Sequence, residues 1–379
     1  MSTQLIHAET LYDGTGAAPR HDCLVEVTEG RITGVTAAST PPRGALHVEV
    51  ASPGFIDLQI NGAADVQFND SPTPEAAARI AAGARRGGTA HILPTFITAP
   101  GDGWHGAIAA IRQALEARSP GILGLHLEGP FLSPEKPGIH PAGAIRPLAE
   151  PDLAVLERAG LPLLLTLAPE EQPAGALRRL ARAGITLFAG HSAASAARID
   201  AAVAEGLTGV THLWNAMPPP QGRAPGIVGR ALTHPTLCAG IIADGHHLDP
   251  LNLALAARMM DGRLFLVSDA MRSYAGTETH FDLMGVPVTL EDGRLTGPDG
   301  TLAGAHLGLD EAVRVMVSQA GVPTEAAIAM ASAVPARVMG LEHELGRVAP
   351  GYRASLTFLT RDLHAAGGLV DGVPFAELG

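Results

Sequence analysis

Positive charge is scarce in this sequence. Lysine and arginine together number 26 against 38 aspartates and glutamates, giving a formal net charge of −12, and Lys136 is the only lysine. That balance argues against nucleic acid as a partner, because duplex and single strands alike are bound through clustered cations. It leaves room for an anionic small molecule, since a pocket can gather arginine and histidine while the rest of the surface stays acidic. Cysteine is scarcer still. Cys23 and Cys238 lie far apart, the pattern of reduced thiols in a cytoplasmic protein rather than of a disulfide framework. No apolar run approaches bilayer-spanning length, and the opening "MSTQLIHAETLYDG" lacks a basic stretch followed by an apolar one. A cytoplasmic protein with no membrane partner is therefore expected. Alanine, glycine and proline are abundant but spread along the whole chain without a fixed period, as composition bias and short turns give and a low-complexity tail does not, and no repeat of solenoid length is present.

What is present is a repeated alternation. Eight short apolar runs occur in order: "GFIDLQI" (54–60), "AHILPTF" (90–96), "LGLHLEG" (123–129), "LLLTLAP" (163–169), "TLFAGHS" (186–192), "GVTHLWN" (209–215), "CAGIIAD" (238–244) and "LFLVSDA" (264–270). Alanine-rich amphipathic stretches such as "PEAAARIAAGARRG" separate them. Eight strands with intervening helices predict an α/β fold of the TIM type, a (β/α)₈ barrel. The first fifty residues and the segment "LGRVAPGYRASLTFLT" read instead as short strands with glycine turns. The expected organisation is a small β-sandwich formed by 1–52 and 336–379 beside a barrel spanning 53–335.

Nearly every run ends in a polar or ionisable residue, and the C-terminal strand ends are where such barrels build their active sites. A lone histidine beside an apolar run packs more often than it binds. Here Glu128, His191 and His212 converge on one rim, a carboxylate and two imidazoles that suit a three-ligand metal site with an open position for water. Asp269, at the end of the eighth run, is placed to take a proton from that water and return it to a leaving amine.

The flanking segments "SPGFIDLQINGAADVQFND", "GLHLEGPF", "AGHS", "THLWNAMPPPQGRAPG", "IIADGHHLD" and "LVSDAM" resemble, in the right order, the N-acetylglucosamine-6-phosphate deacetylase family of the amidohydrolase superfamily. The resemblance covers almost the whole chain. It implies a barrel carrying a divalent metal, with Glu128, His191 and His212 as ligands, Asp269 as acid/base, and His140 of "PGIHP" polarising the acetamide carbonyl. It further implies that Asn215, Ala216, Arg223 and His247 contact substrate, with Arg223 and His247 at the sugar phosphate, and that the protein is a homodimer whose partner helps complete the phosphate site. Many amidohydrolases open with a His-x-His pair, where this sequence has Gln59 and Asn61. Neutral amides are poor transition-metal ligands, so these remnants of a possible second site imply one metal per chain. Zinc suits the ligand set, and iron(II) or manganese(II) would be accepted. The segment "TLAGAHLGLD" also departs from the family pattern at Ala305 and His306, in a loop expected to cover the substrate.

The reaction so implied is hydrolysis of N-acetylglucosamine 6-phosphate to glucosamine 6-phosphate and acetate. The rivals are a deacetylase of another N-acetyl compound, such as N-acetylgalactosamine 6-phosphate or an N-acyl amino acid, and a non-catalytic sugar-phosphate sensor.

Overall fold

The computed structural model describes residues 3–375. Its centre is an eight-stranded parallel sheet in strict sequential order: β1 (Phe55–Ile60), β2 (Thr89–Ile97), β3 (Leu125–Glu128), β4 (Leu163–Leu167), β5 (Thr186–Ala189), β6 (Leu207–Val210), β7 (Cys238–Ile241) and β8 (Leu264–Leu266). Every residue of β1 and β2 is buried, because helices cover the outside of a parallel sheet while side chains fill its interior. Helix formation is set locally. Before the helix Pro74–Ala84, Thr73 Oγ1 accepts the Ala76 amide hydrogen at 3.2 Å, and proline occupies the first turn, where its missing N–H costs nothing.

The barrel interior is not wholly apolar. Below the mouth, His126 stands 3.2 Å from Thr95 Oγ1 and 2.8 Å from Thr166 Oγ1, and Thr166 Oγ1 is 2.6 Å from Thr211 Oγ1. Burial pushes the His126 imidazole down to about 4, so this polar layer is neutral at physiological pH.

Strands from both chain ends form one seven-stranded sheet. Gln4–Leu11, Arg20–Thr28, Arg31–Ala37 and Leu46–Pro53 join Leu356–Leu359, Ala365–Val370 and Val373–Phe375. Leu46–Pro53 bridges the two sets, running parallel to Gln4–Leu11 and antiparallel to Leu356–Leu359. The sheet curls until Ile32, in the edge strand Arg31–Ala37, exchanges backbone hydrogen bonds with Gly351 and Tyr352, just ahead of the strand Leu356–Leu359. Its wrapped core holds Ile6, Val25, Ile32 and Leu356.

Two features depart from the sequence reading. The fifth, sixth and eighth runs continue past their strands, so His191, His212 and Asp269 lie two or three residues beyond the last strand residue. Between β8 and the helix Leu309–Ser318 the chain also forms a four-stranded antiparallel sheet, His280–Leu283, Val286–Glu291, Arg294–Thr296 and Leu302–Ala305. Ala305, expected in a covering loop, is a buried strand residue of this sheet whose backbone exchanges hydrogen bonds with Asp269 and Met271. His306 turns to Ser273 Oγ at 3.1 Å.

Candidate metal centre and catalytic pocket

Glu128 closes β3, and its Oε1 is the hub of the site. It lies 3.1 Å from His191 Nε2 and 2.8 Å from His212 Nε2, and those two nitrogens are 3.1 Å apart. All three side chains are buried. The His191 ring is oriented by its surroundings: Nδ1 is 3.0 Å from the Lys136 carbonyl oxygen and must donate to it, which turns Nε2 toward Glu128. His212 Nδ1 is buried with no partner.

Three donor atoms thus converge on one point. Around a zinc-sized ion bound at about 2.1 Å, tetrahedral donors stand about 3.4 Å apart, close to the separations here. The donor set fits a divalent metal. His140 adjoins it: ligand-type atoms of Glu128, His140 and His191 all lie within 4.8 Å of one another, and the His140 and His191 rings are 4.3 Å apart.

In the protein alone, burial opposes ionisation of Glu128. Its two imidazole hydrogen bonds outweigh that and hold the carboxyl well below the usual range. Burial likewise opposes a charge on His212, which Glu128 reverses, raising the imidazole. His140 has no such support: burial, with His191 nearby, pushes it down to about 3. A neutral imidazole of this kind can donate a hydrogen bond to a carbonyl oxygen.

Asp269 follows β8, with Oδ1 accepting from Gln59 Nε2 at 3.0 Å and from Asn61 Nδ2 at 2.7 Å. Gln59 Nε2 is also 3.2 Å from Glu128 Oε2. The two amides of β1 and its end therefore hold the carboxylates of the site in place. Burial, with the Glu128 charge adding, pushes Asp269 up to about 6, the range in which a carboxylate serves as a general base near neutrality.

Local backbone explains how these groups reach the mouth. His191, His212 and Asp269 take φ of 48°, 29° and 49°, in or near the left-handed region that residues with a Cβ rarely occupy. Trp214 and Ala216 share it, at 78° and 51°. The kinks at His191, His212 and Asp269 come two or three residues after a strand, and all three side chains line the cavity at the mouth.

A cavity of about 230 Å³ opens above Glu128, His140, His191, His212 and Asp269. Ile97, Ile139, Met271 and Leu302 give it apolar walls, while Asn61, Asn215, Ala216 and His247 line the remainder. Leu302 belongs to the inserted sheet, which forms part of the wall. Asn215 Nδ2 is buried without a partner.

The structure thus brings together the expected Glu128, His140, His191, His212, Asp269, Asn215, Ala216, His247, Gln59 and Asn61. It does not bring Arg223, which is exposed in the loop before the helix Gly226–Thr233 and outside the cavity wall.

Asp244, missed in the sequence, orients His247. Its Oδ2 lies 2.7 Å from His247 Nδ1, and its Oδ1 accepts the His247 amide hydrogen at 2.9 Å. Burial opposes that carboxylate, but His247 outweighs it and holds Asp244 down at about 2. The i, i+3 spacing in "ADGHH" was the available signal.

Residues 50–374 match the Amidohydrolase family. The chain belongs to the amidohydrolase family. Among relatives, an N-acetylgalactosamine-6-phosphate deacetylase of Escherichia coli O157:H7 is 36% identical over 321 residues, covering 83% of this chain and 85% of its own. The N-acetylglucosamine-6-phosphate deacetylase of Homo sapiens is 36% identical over 341 residues, covering 85% and 82%. The crystal structure of N-acetylglucosamine-6-phosphate deacetylase from Pasteurella multocida superimposes with a TM-score of 0.94 at 30% identity, over 99% of this chain and 100% of that one. Membership fits a buried Glu-His-His cluster suited to a divalent metal at the mouth of the barrel.

Proposed function

We propose that this protein is a metal-dependent hydrolase that removes acetate from N-acetylglucosamine 6-phosphate, giving glucosamine 6-phosphate. The observation that carries the reading is the placement of Asp269 and a neutral His140 around one cavity with the Glu128, His191 and His212 donors. A sugar-phosphate sensor needs no such acid/base set. The relatives named above support the substrate class.

Glu128, His191 and His212 would hold the metal, with zinc the best match to one carboxylate and two imidazoles and iron(II) or manganese(II) also suited. When bound, such an ion supplies Lewis-acid polarisation and lowers the pKa of water. The remaining steps belong to the chain's own groups. Asp269 takes a proton from the attacking water as its oxygen bonds to the acetamide carbon. Neutral His140 donates a hydrogen bond to the carbonyl oxygen as negative charge builds there. Asp269 then gives the proton to the sugar nitrogen, the C–N bond breaks, and acetate and the free amine leave. Asn215, Ala216 and His247 line the space for the sugar, with Asp244 keeping His247 oriented. Arg223 reaches a phosphate in the neighbouring protomer of a homodimer, which accounts for an arginine exposed in the single chain. The setting is the cytoplasm.

The test is acetate release by metal-replete protein from N-acetylglucosamine 6-phosphate, run beside the galacto epimer and unphosphorylated N-acetylglucosamine. Absence of acetate from the first would sink the proposal. Faster release from the galacto epimer would reassign the substrate while keeping the chemistry.

A further inference from the structure

The barrel has a seam. Each neighbouring pair from β1 to β8 shares a hydrogen-bonded ladder, but β8 and β1 do not. Among the described residues the strand-type pairing across this gap is an isolated bridge between Ile60, at the end of β1, and Ala270, four residues beyond β8. Side chains and single backbone contacts close the gap instead.

Asp57 lies at its centre. Its carboxylate is buried inside β1, and Oδ1 accepts the Gln59 amide hydrogen at 3.1 Å and the Ser268 amide hydrogen at 3.2 Å. One oxygen therefore ties the first strand to the segment that follows the last. Just above it, the Asp269 amide donates to the Gln59 carbonyl at 2.9 Å, Ser268 Oγ donates to the same carbonyl at 3.4 Å, and the Asn61 amide donates to the Ala270 carbonyl at 2.8 Å.

Asp269 depends on this seam twice. Its backbone, at φ 49°, persists only where the surroundings over-determine it, and its amide is held by Gln59. Its carboxylate is held by the side chains of Gln59 and Asn61. Gln59 lies in the strand that Asp57 anchors, and Asn61 follows directly on its last residue. No cation pairs with Asp57 among the described residues, so the buried acid is retained without an ion-pair role.

We propose that Asp57 is a positioning residue for Asp269: by pinning Gln59 to Ser268 it closes the barrel where no ladder does, and thereby fixes the position of the catalytic carboxylate. This rests on the reading of Asp269 as the acid/base.

Asp57→Ala removes the shared acceptor and leaves two buried amide hydrogens unpaired. Asp57→Asn keeps an acceptor oxygen in the same place. Burial pushes the Asp57 carboxyl up to about 7, so a neutral amide is a fair stand-in.

The test measures kcat, KM and metal content for both variants, for Asp269→Asn and for the Asp57→Ala, Asp269→Asn double variant. Misplacing a catalytic group by a fraction of an ångström costs on the order of tenfold to a hundredfold in rate. The expected result is a loss of that size in kcat for Asp57→Ala with KM and metal content near wild type, and recovery to within about threefold in Asp57→Asn. In the double variant the Asp57 substitution adds little to the loss from Asp269→Asn, because two groups acting as one unit are not additive.

An unchanged kcat in Asp57→Ala, equal losses in the Ala and Asn variants, a loss matching the fall in metal content, or full additivity would each overturn the inference. If Asp57→Ala does not fold, Asp57→Thr, which introduces a strand-favouring β-branched side chain with a shorter-reaching acceptor, replaces it in the same comparison. The parent reading fails separately: near-normal turnover in Asp269→Asn would remove Asp269 as the acid/base, whereas an inactive Asp269→Asn beside a fully active Asp57→Ala would reject only the role of Asp57.

Discussion

Asn61 donates an amide hydrogen to Asp269 Oδ1 over 2.7 Å. A hydrogen bond to a charged group contributes about 1.5–3 kcal/mol, and here it orients the proposed base. Asn61→Ala should lower kcat on the order of tenfold while KM and metal content stay near wild type. Steady-state kinetics with metal analysis on the same preparation checks this. Loss of rate in proportion to loss of metal would show that Asn61 supports the ligands instead.

The ligand set makes a second prediction. His191→Ala and His212→Ala should each lose nearly all metal, and the wild type should hold about one divalent ion per chain. Asp269→Asn should keep its metal and still bind substrate, with turnover reduced on the order of 10³-fold. Elemental analysis of gel-filtered protein decides. Two tightly held ions per chain would refute a mononuclear site.

Arg223 carries the third. If it serves the phosphate, Arg223→Ala should cut kcat/KM for the 6-phosphate on the order of 10²-fold and leave slow turnover of unphosphorylated N-acetylglucosamine almost unchanged. Mixed dimers of Arg223→Ala with Asp269→Asn chains should regain one competent site. No recovery in verified mixed dimers would place the arginine outside the neighbour's pocket.

The fourth concerns stability. His91 Nε2 is 2.8 Å from Ser355 Oγ, joining the barrel to the chain-end sheet. Ser355 Oγ in turn donates to Asp371 Oδ1 at 3.2 Å. Burial, with the Arg353 charge adding, pushes the His91 imidazole from 6.5 down to about 3. Between those values the unfolded chain binds a proton that the fold refuses. The contribution is therefore full above pH 6.5 and is lost as pH falls toward 3. His91→Asn, which keeps a donor but does not titrate, should lose less Tm between pH 7 and pH 5 than wild type does. Parallel Tm–pH curves would refute the assignment.

Parts of this were legible in the sequence for physical reasons. The barrel strands are buried on both faces, so they read as apolar runs, and their polar termini mark the mouth. Glu128 is the last residue of β3, and strand reading places it directly. His191, His212 and Asp269 lie beyond strands that the apolar pattern cannot end, because the left-handed kinks have no compositional signature. The inserted sheet carries a readable turn, "LEDGRL", between its second and third strands, yet its service as a cavity wall depends on tertiary packing. Asp57 is hidden inside an apolar run, and its task exists only because β1 and β8 meet. Arg223 could be recognised by resemblance alone, since nothing in the single chain brings it to the cavity.

The left-handed backbone at His191, His212 and Asp269 sets heat resistance against activity. Glycine adopts that conformation without penalty and asparagine adopts it more readily than most residues, so the substitutions that relax these three turns are also those that remove a proposed ligand or the proposed base. Selection for thermal tolerance alone would erode the site from its backbone outward. Only continued demand for the reaction retains two histidines and an aspartate where the chain folds more comfortably without them.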